Sequence, residues 1–295
     1  MTTATKGSAA VQRLRLRTEL RRARAAAGLT QRQVADRMEW SPSKLIRIEA
    51  GEVGISINDL RSLLATYDVG DHEVVEELLE LARGSRRMPF AEYRDIYSKE
   101  FLDFLAMEGS AAHNRTFQPS VVPGLLQTEE YAAAIIRAYS PGESADKVRR
   151  MVEARMLRQD VLDNEASQFT FILDESVIRR QVGGAGVMRA QLRRLADAAS
   201  QDRIRIAILP FSQGAHPALA GPFTIFEFTE DVPPFVYLEN PRGSASISTM
   251  PEEVASYLDL FLELETKVIK NRMPDILRNL AEAIGSEPVE FRVSG

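Results

Sequence analysis

The stretch Leu29–Gly51, LTQRQVADRMEWSPSKLIRIEAG, decides the reading of this chain, because it encodes two short helices joined by a tight turn. Thr30 and Gln33 stand three apart ahead of an apolar-periodic run. In that arrangement each side chain caps the other's backbone N–H, so a helix starts at Gln31 and runs to about Arg37. Val34, Ala35 and Met38 give it one apolar face. Glu39 and Trp40 make the turn. Ser41 then supplies an N-cap and Pro42 a first helical position, where its missing N–H costs nothing. Leu45 and Ile48 form the buried face of this second helix, and Gly51 stops it. Ser43, Lys44 and Arg47 are left on a polar face able to donate to phosphates or base edges.

On the N-terminal side, Leu14 to Ala27 is rich in alanine and arginine and lacks glycine and proline. It predicts a helix that packs through Leu16, Leu20, Ala23 and Ala27 and ends at Gly28. Arg13, Arg15, Arg17, Arg21 and Arg22 are read as mostly solvated, with one or two reaching phosphate. Residues 1–12 are small and polar, a disordered lead-in. On the C-terminal side, Ser56 and Asp59 open a fourth helix with Ile57, Leu60, Leu63, Leu64 and Tyr67 as its stripe, and a fifth covers Asp71 to Arg83. The linker GSRRMP at Gly84 to Pro89 then bounds a helix-turn-helix domain over residues 13–84.

The segments AAAGLTQRQVADRM and IEAG, within about Leu16 to Tyr67, resemble the Xre-type helix-turn-helix of lambdoid phage repressors. The resemblance implies that Gln31 hydrogen-bonds a DNA phosphate, that Ser43, Lys44 and Arg47 enter the major groove, and that Arg47 contacts a base, guanine being its best partner. Arg32 and Ser41 complete the candidate DNA-binding set. It also implies a structural ion pair between Arg24 and Glu49. The chain departs from the family at Glu39, where glycine is usual, and at Pro42, where a polar base-contacting residue often sits. A non-glycine residue at Glu39 carries strain if the turn needs a positive φ.

Charge separates the chain into two parts. Its net charge is −5, yet residues 1–67 hold twelve Lys/Arg against six Asp/Glu, so a head of +6 precedes a remainder of −11. The basic head attracts phosphate, and the acidic remainder limits non-specific binding. A length of 295 residues fits two domains, and 44% hydrophobic with 27% charged residues is a globular composition. No apolar run approaches the roughly 18 residues of a membrane span, no apolar leader core is visible and there is no cysteine. The expected location is cytoplasmic, on the nucleoid when bound to DNA.

Past the linker, Phe90, Tyr93, Tyr97, Phe101 and Phe104 predict one aromatic face on a helix of about four turns. Such a face is core, a dimer interface or the wall of an apolar pocket. Tyr93, Tyr97, Phe101 and Phe104, with His216, are the candidate ligand or partner surface. Pro119, Pro123 and Gly124 force an irregular segment before a helix capped by Thr128. Helices follow over residues 146–163, Gly186 to Ala199, Pro251 to Lys270 and Asp275 to Ile284. Strands are expected at Phe169 to Leu173, Ile204 to Leu209, Phe223 to Phe228 and Phe235 to Leu238. The fold class is α+β: an all-α five-helix head, then a larger mixed α+β domain over residues 90–285 and a tail at 286–295.

The strings FQPSVVPGLLQTEEYAAAIIRAYS, ILDESVIRR, VGGAGVMRAQLRRL, ILPFSQGAHPAL, GPFTIFEF and FVYLEN resemble the C-terminal domain of actinobacterial WhiJ-like regulators, often called antitoxin-like. This resemblance implies regulation and a small cognate protein as partner, and names no ligand.

Chemistry has little support. Gly183, Gly184 and Gly186 precede a helix but lack the spacing of a dinucleotide fingerprint and the lysine of a phosphate loop. His72, His113 and His216 are isolated, so no metal site is expected. Glu175, His216 and Glu239 lie near strand ends without diagnostic spacing. No cofactor and no catalysis are expected. The expected protein is a sequence-specific transcription regulator on double-stranded DNA, a homodimer whose second domain dimerises and receives a small-molecule effector or a protein. The alternative is an antitoxin-like protein that holds a small partner and binds DNA as feedback. A remote third is an enzyme with a helix-turn-helix head.

Overall fold

A computed structural model describes residues 9–49, 53–84, 90–229, 232–239 and 245–284. The lead-in before Ala9, the Gly51 stop, linker positions 85–89 and the tail lie outside them. The chain forms two compact units, Met1–Ala91 with Phe101–Ser110, and Glu92–Glu100 with Ala111–Gly295. The fold is α+β.

The first unit opens with α1 (Ala9–Ala26), α2 (Gln31–Arg37), α3 (Pro42–Glu49), α4 (Ile57–Thr66) and α5 (His72–Gly84). The first helix begins earlier than expected: Ala9–Gln12, assigned to the lead-in, contain no breaker and continue the alanine-rich run. At its other end Gly28 adopts φ 65°, with Leu29 N–H donating to Arg24 O and Gly28 N–H to Ala25 O, the double bond pattern that satisfies the last helical carbonyls. Glu39 ends α2 the same way at φ 54°, with Trp40 N–H donating to Ala35 O and Glu39 N–H to Asp36 O. The turn does need a left-handed residue there, and glutamate occupies it. Leu16, Leu20, Val34, Leu45, Ile48, Leu60, Leu63, Leu64, Leu78 and Leu79 form one buried cluster joining all five helices.

The aromatic stripe is not one helix. Phe90 turns the backbone at φ 58°, a single 3-10 turn holds Ala91–Tyr93, and only from Lys99 does α6 (Lys99–Glu108) begin. Alternate spacing of large aromatics mimicked a helical period across a break. Arg150 holds the intervening segment in the second unit, donating to Asp95 at 2.5 Å and to Glu92 O at 2.9 Å, while Tyr97 Oη donates to Met151 O at 3.1 Å.

The second unit is built on one six-stranded sheet of β1 (His113–Gln118), β2 (Gln168–Asp174), β3 (Ile204–Leu209), β4 (Phe223–Glu227), β5 (Phe235–Glu239) and β6 (Ala245–Ser248), in the order β3-β2-β1-β4-β5-β6. The first three strands are parallel and the last three run antiparallel to their neighbours. Between β1 and β2 lie α7 (Glu129–Tyr139) and α8 (Ala145–Arg158). Between β2 and β3 lie α9 (Glu175–Arg179) and α10 (Ala185–Ala198), and α11 (Pro251–Glu265) and α12 (Met273–Ala283) close the chain. One face of the sheet, with Phe169, Phe171, Ile204 and Ile206, packs on Met188, Leu192 and Leu195 of α10 and Leu277 of α12. The other, with Phe117, Ile172 and Ile225, packs on Val254, Phe261 and Leu264 of α11.

Three sequence expectations change here. Strand β1, HNRTFQ, was not expected because most of its residues are polar, yet it sits at the centre. Two of its polar side chains are met across the sheet: Arg115 donates to Glu227 at 2.6 Å, and Thr116 and Thr224 hydroxyls lie 3.2 Å apart. Strand β6 and the short α9 were also unassigned. The helix expected to reach Lys270 ends at Glu265, and Ile269 instead bridges antiparallel to Ile208.

Candidate nucleic-acid interface

The interface is built on a buried carboxylate. Glu49 closes α3 with its side chain 1% exposed, and accepts from Arg24 Nε at 2.7 Å, Gln31 Nε2 at 2.8 Å and Tyr67 Oη at 3.2 Å. Arg24 also donates to Leu29 O at 2.9 Å. Four elements, α1, α2, α3 and the end of α4, are therefore tied to one group, which fixes the angle between the paired helices. Burial, and then the Glu49 charge, push the Tyr67 hydroxyl well above the ordinary tyrosine range, so it stays protonated and donates.

Thr30 caps α2 through both halves of its box with Gln33. Ser41 Oγ accepts from Lys44 N–H at 3.3 Å at the start of α3. Leu45, Ile48 and Glu49 turn inward, leaving Pro42, Ser43, Ile46 and Arg47 exposed along one side. Arg32 is exposed on the first turn of α2, where its charge can meet phosphate.

Gln31 and Lys44 are both engaged within the protein. Gln31 spends one amide N–H on Glu49, and its phosphate contact would have to use the other. Lys44 Nζ lies 3.8 Å from the Trp40 ring centroid and 3.2 Å from Asp59, which draws it toward α4. Ile46 was missed: it is 46% exposed, an apolar side chain beside Ser43 and Arg47, of the kind that packs on a thymine methyl. Its signal was an isoleucine between the two stripe positions Leu45 and Ile48. Tyr67 was assigned to packing alone, because its hydroxyl contact with Glu49 spans 18 residues.

The candidate ligand or partner surface is divided between the two units, Phe101 and Phe104 in the first and Tyr93, Tyr97 and His216 in the second. Phe104 is buried at 2% exposure within α6, Tyr97 is held on Met151 O, and Tyr93 lies beside Arg150. Phe101 is half-buried and 5.7 Å from Phe104. His216 is buried edge-on against Phe117, its Nδ1 without a hydrogen-bond partner among the described residues. Glu175 pairs with Arg179 at 3.0 Å and accepts from Phe211 N–H at 2.9 Å. Gly183 and Gly184, at φ 71° and 91°, shape the entry to α10. No group of three His, Asp or Glu side chains among the described residues could hold a metal, and no described helix is long and apolar enough to cross a membrane.

Comparison with known families matches residues 15–78 to a helix-turn-helix domain, which spans the five-helix head and its carboxylate network. Residues 101–268 match the domain of unknown function DUF5753, more than half of the chain. The chain belongs to the DUF5753 family. Its helix-turn-helix head makes it a DNA-binding regulator by architecture, and the family's own domain covers all six strands and the helices from α6 to α11. No curated protein and no solved structure matches the chain.

Proposed function

We propose that this chain is a sequence-specific transcriptional regulator that binds a pseudo-palindromic operator as a homodimer, with recognition helices about one DNA turn, roughly 34 Å, apart. One head reads only a few base pairs, and pairing two heads is the ordinary route to useful specificity. The observation that carries the reading is the exposed row Ser43, Ile46 and Arg47 on a helix whose base is locked by Glu49. In this reading α3 enters the major groove, Arg47 and Ser43 meet base edges, and Arg32 meets phosphate. The second unit dimerises and receives an effector, and no step of catalysis is involved.

Selection of bound sequences from a random DNA pool, with the full chain, tests this. The expected result is a two-fold-symmetric motif that loses preference at one position with Arg47→Ala. Recovery of no motif overturns it.

The antitoxin-like reading has one observation in its favour. Phe211 and Leu219, each 58% exposed, lie in the segment between β3 and β4. A small protein that forms a stoichiometric complex lost on Phe211→Ser would support it over effector sensing.

A further inference from the structure

Strand β3 has an unfinished edge. Phe169 N–H donates to Arg203 O across the β2–β3 ladder, which turns the main-chain groups of Ile204, Ile206 and Ile208 outward. At Ile208 that edge is closed by the bridge to Ile269, and Ile204 N–H is taken by Gln201 O at 3.0 Å. Past Ile269 the chain swings away through Arg272, left-handed at φ 56°, into α12. Between these closures, beside Ile206, lies a cavity of about 400 Å³, within the range of small-molecule sites.

Its lining is rich in donors. Arg205 and Lys270 line it, and neither has an ion-pair partner among the described residues. Thr170 also lines it; the residue is 7% exposed, and its hydroxyl has no hydrogen-bond partner among the described residues. Helix α12 starts on the same lining at Met273 and Pro274, but Pro274 has no N–H and the N–H groups of Asp275 and Ile276 are taken by Arg272 O, so the cations rather than the helix start carry the site. A threonine hydroxyl and two cations lining one cavity are groups that hold an oxyanion. Asp202 and Glu265 stand on the lining too, carboxylates able to accept from a donor group of a ligand.

We propose that this cavity binds a small metabolite carrying an oxyanion, phosphate or carboxylate, beside a hydroxyl or ammonium group. The oxyanion lies against Arg205, Lys270 and Thr170, and the donor group faces Asp202 or Glu265. Naming it the effector site rests on the reading of the second unit as a signal receiver; binding itself does not.

Calorimetric titration of the full chain at constant ionic strength, with inorganic phosphate, succinate and O-phosphoserine in separate arms, tests the site and separates phosphate from carboxylate recognition. Saturable binding of at least one probe is expected. It should weaken about tenfold in Lys270→Gln and in Arg205→Gln, each removing one charge-assisted contact at an exposed side chain, and stay unchanged in Arg137→Gln on α7. Matching far-UV spectra and melting of the unliganded variants exclude misfolding as the cause. Absence of saturation with all three probes overturns the site, as does unchanged affinity in the Arg205→Gln/Lys270→Gln double variant. Binding that leaves operator affinity unaltered keeps the site and removes its effector role.

Discussion

Tyr67 donates its hydroxyl to Glu49 at 3.2 Å from the end of α4, and that phenol is held protonated by burial and by the carboxylate it serves. Its pKa in the folded head lies well above the unfolded value near 10, so its contribution is complete below pH 10 and is lost as pH rises through the higher folded value. Alkaline melting of the helix-turn-helix head should therefore begin above about pH 10. Tyr67→Phe should remove that part of the slope while lowering stability near neutrality by about 1 kcal/mol. Melting temperature against pH for the two forms is the measurement; identical slopes would refute the assignment.

Removing the carboxylate itself is more damaging. Glu49→Ala leaves the donors of Arg24, Gln31 and Tyr67 facing a vacated buried site, and should cost about 3–5 kcal/mol. Denaturant unfolding of the full chain, followed at Trp40 in the head, reports it. A loss below about 1 kcal/mol would show that the network is not holding the helices together.

On DNA, Arg47→Ala should cost about 1–3 kcal/mol and relax base preference at one position. Lys44→Ala should have a smaller effect, because its ammonium is already shared between Trp40 and Asp59. Operator affinities at two salt concentrations separate the two, and a larger loss for Lys44→Ala would reverse the roles.

Glu39 pays for a left-handed conformation that glycine adopts freely, φ 54° at the end of α2. Glu39→Gly should raise stability by about 1 kcal/mol without moving the operator motif. A lower melting temperature for this variant would mean that the glutamate side chain makes a compensating contact.

Asn114, fully buried on β1 between Phe169 and Phe226, leaves both amide atoms without a hydrogen-bond partner among the described residues. Replacing an unpaired amide by an apolar side chain of similar size removes a desolvation cost, so Asn114→Leu should stabilise the second unit by about 1–3 kcal/mol. Destabilisation on thermal unfolding would reveal a partner for the amide, such as an internal water.

The head was legible at close range because its signals are local. The Thr30–Gln33 box, the Ser41–Pro42 start and the Gly28 stop act over three to five residues, and each is present where the sequence places it. The charge split and the α+β class followed from composition and periodicity in the same way. Tertiary structure alone decided the rest. Aromatic spacing from Phe90 to Phe104 resembled one helix that residues 94–98 interrupt, and polar β1 became the sheet's centre because Glu227 and Thr224, more than 100 residues away, meet its side chains. Gln31 was readable as a helix start but not as a donor to Glu49, and Lys44 as a polar side chain but not as one drawn to Asp59. Local backbone preferences are written in neighbouring residues, whereas the partner of a side chain depends on which distant segment the fold brings beside it.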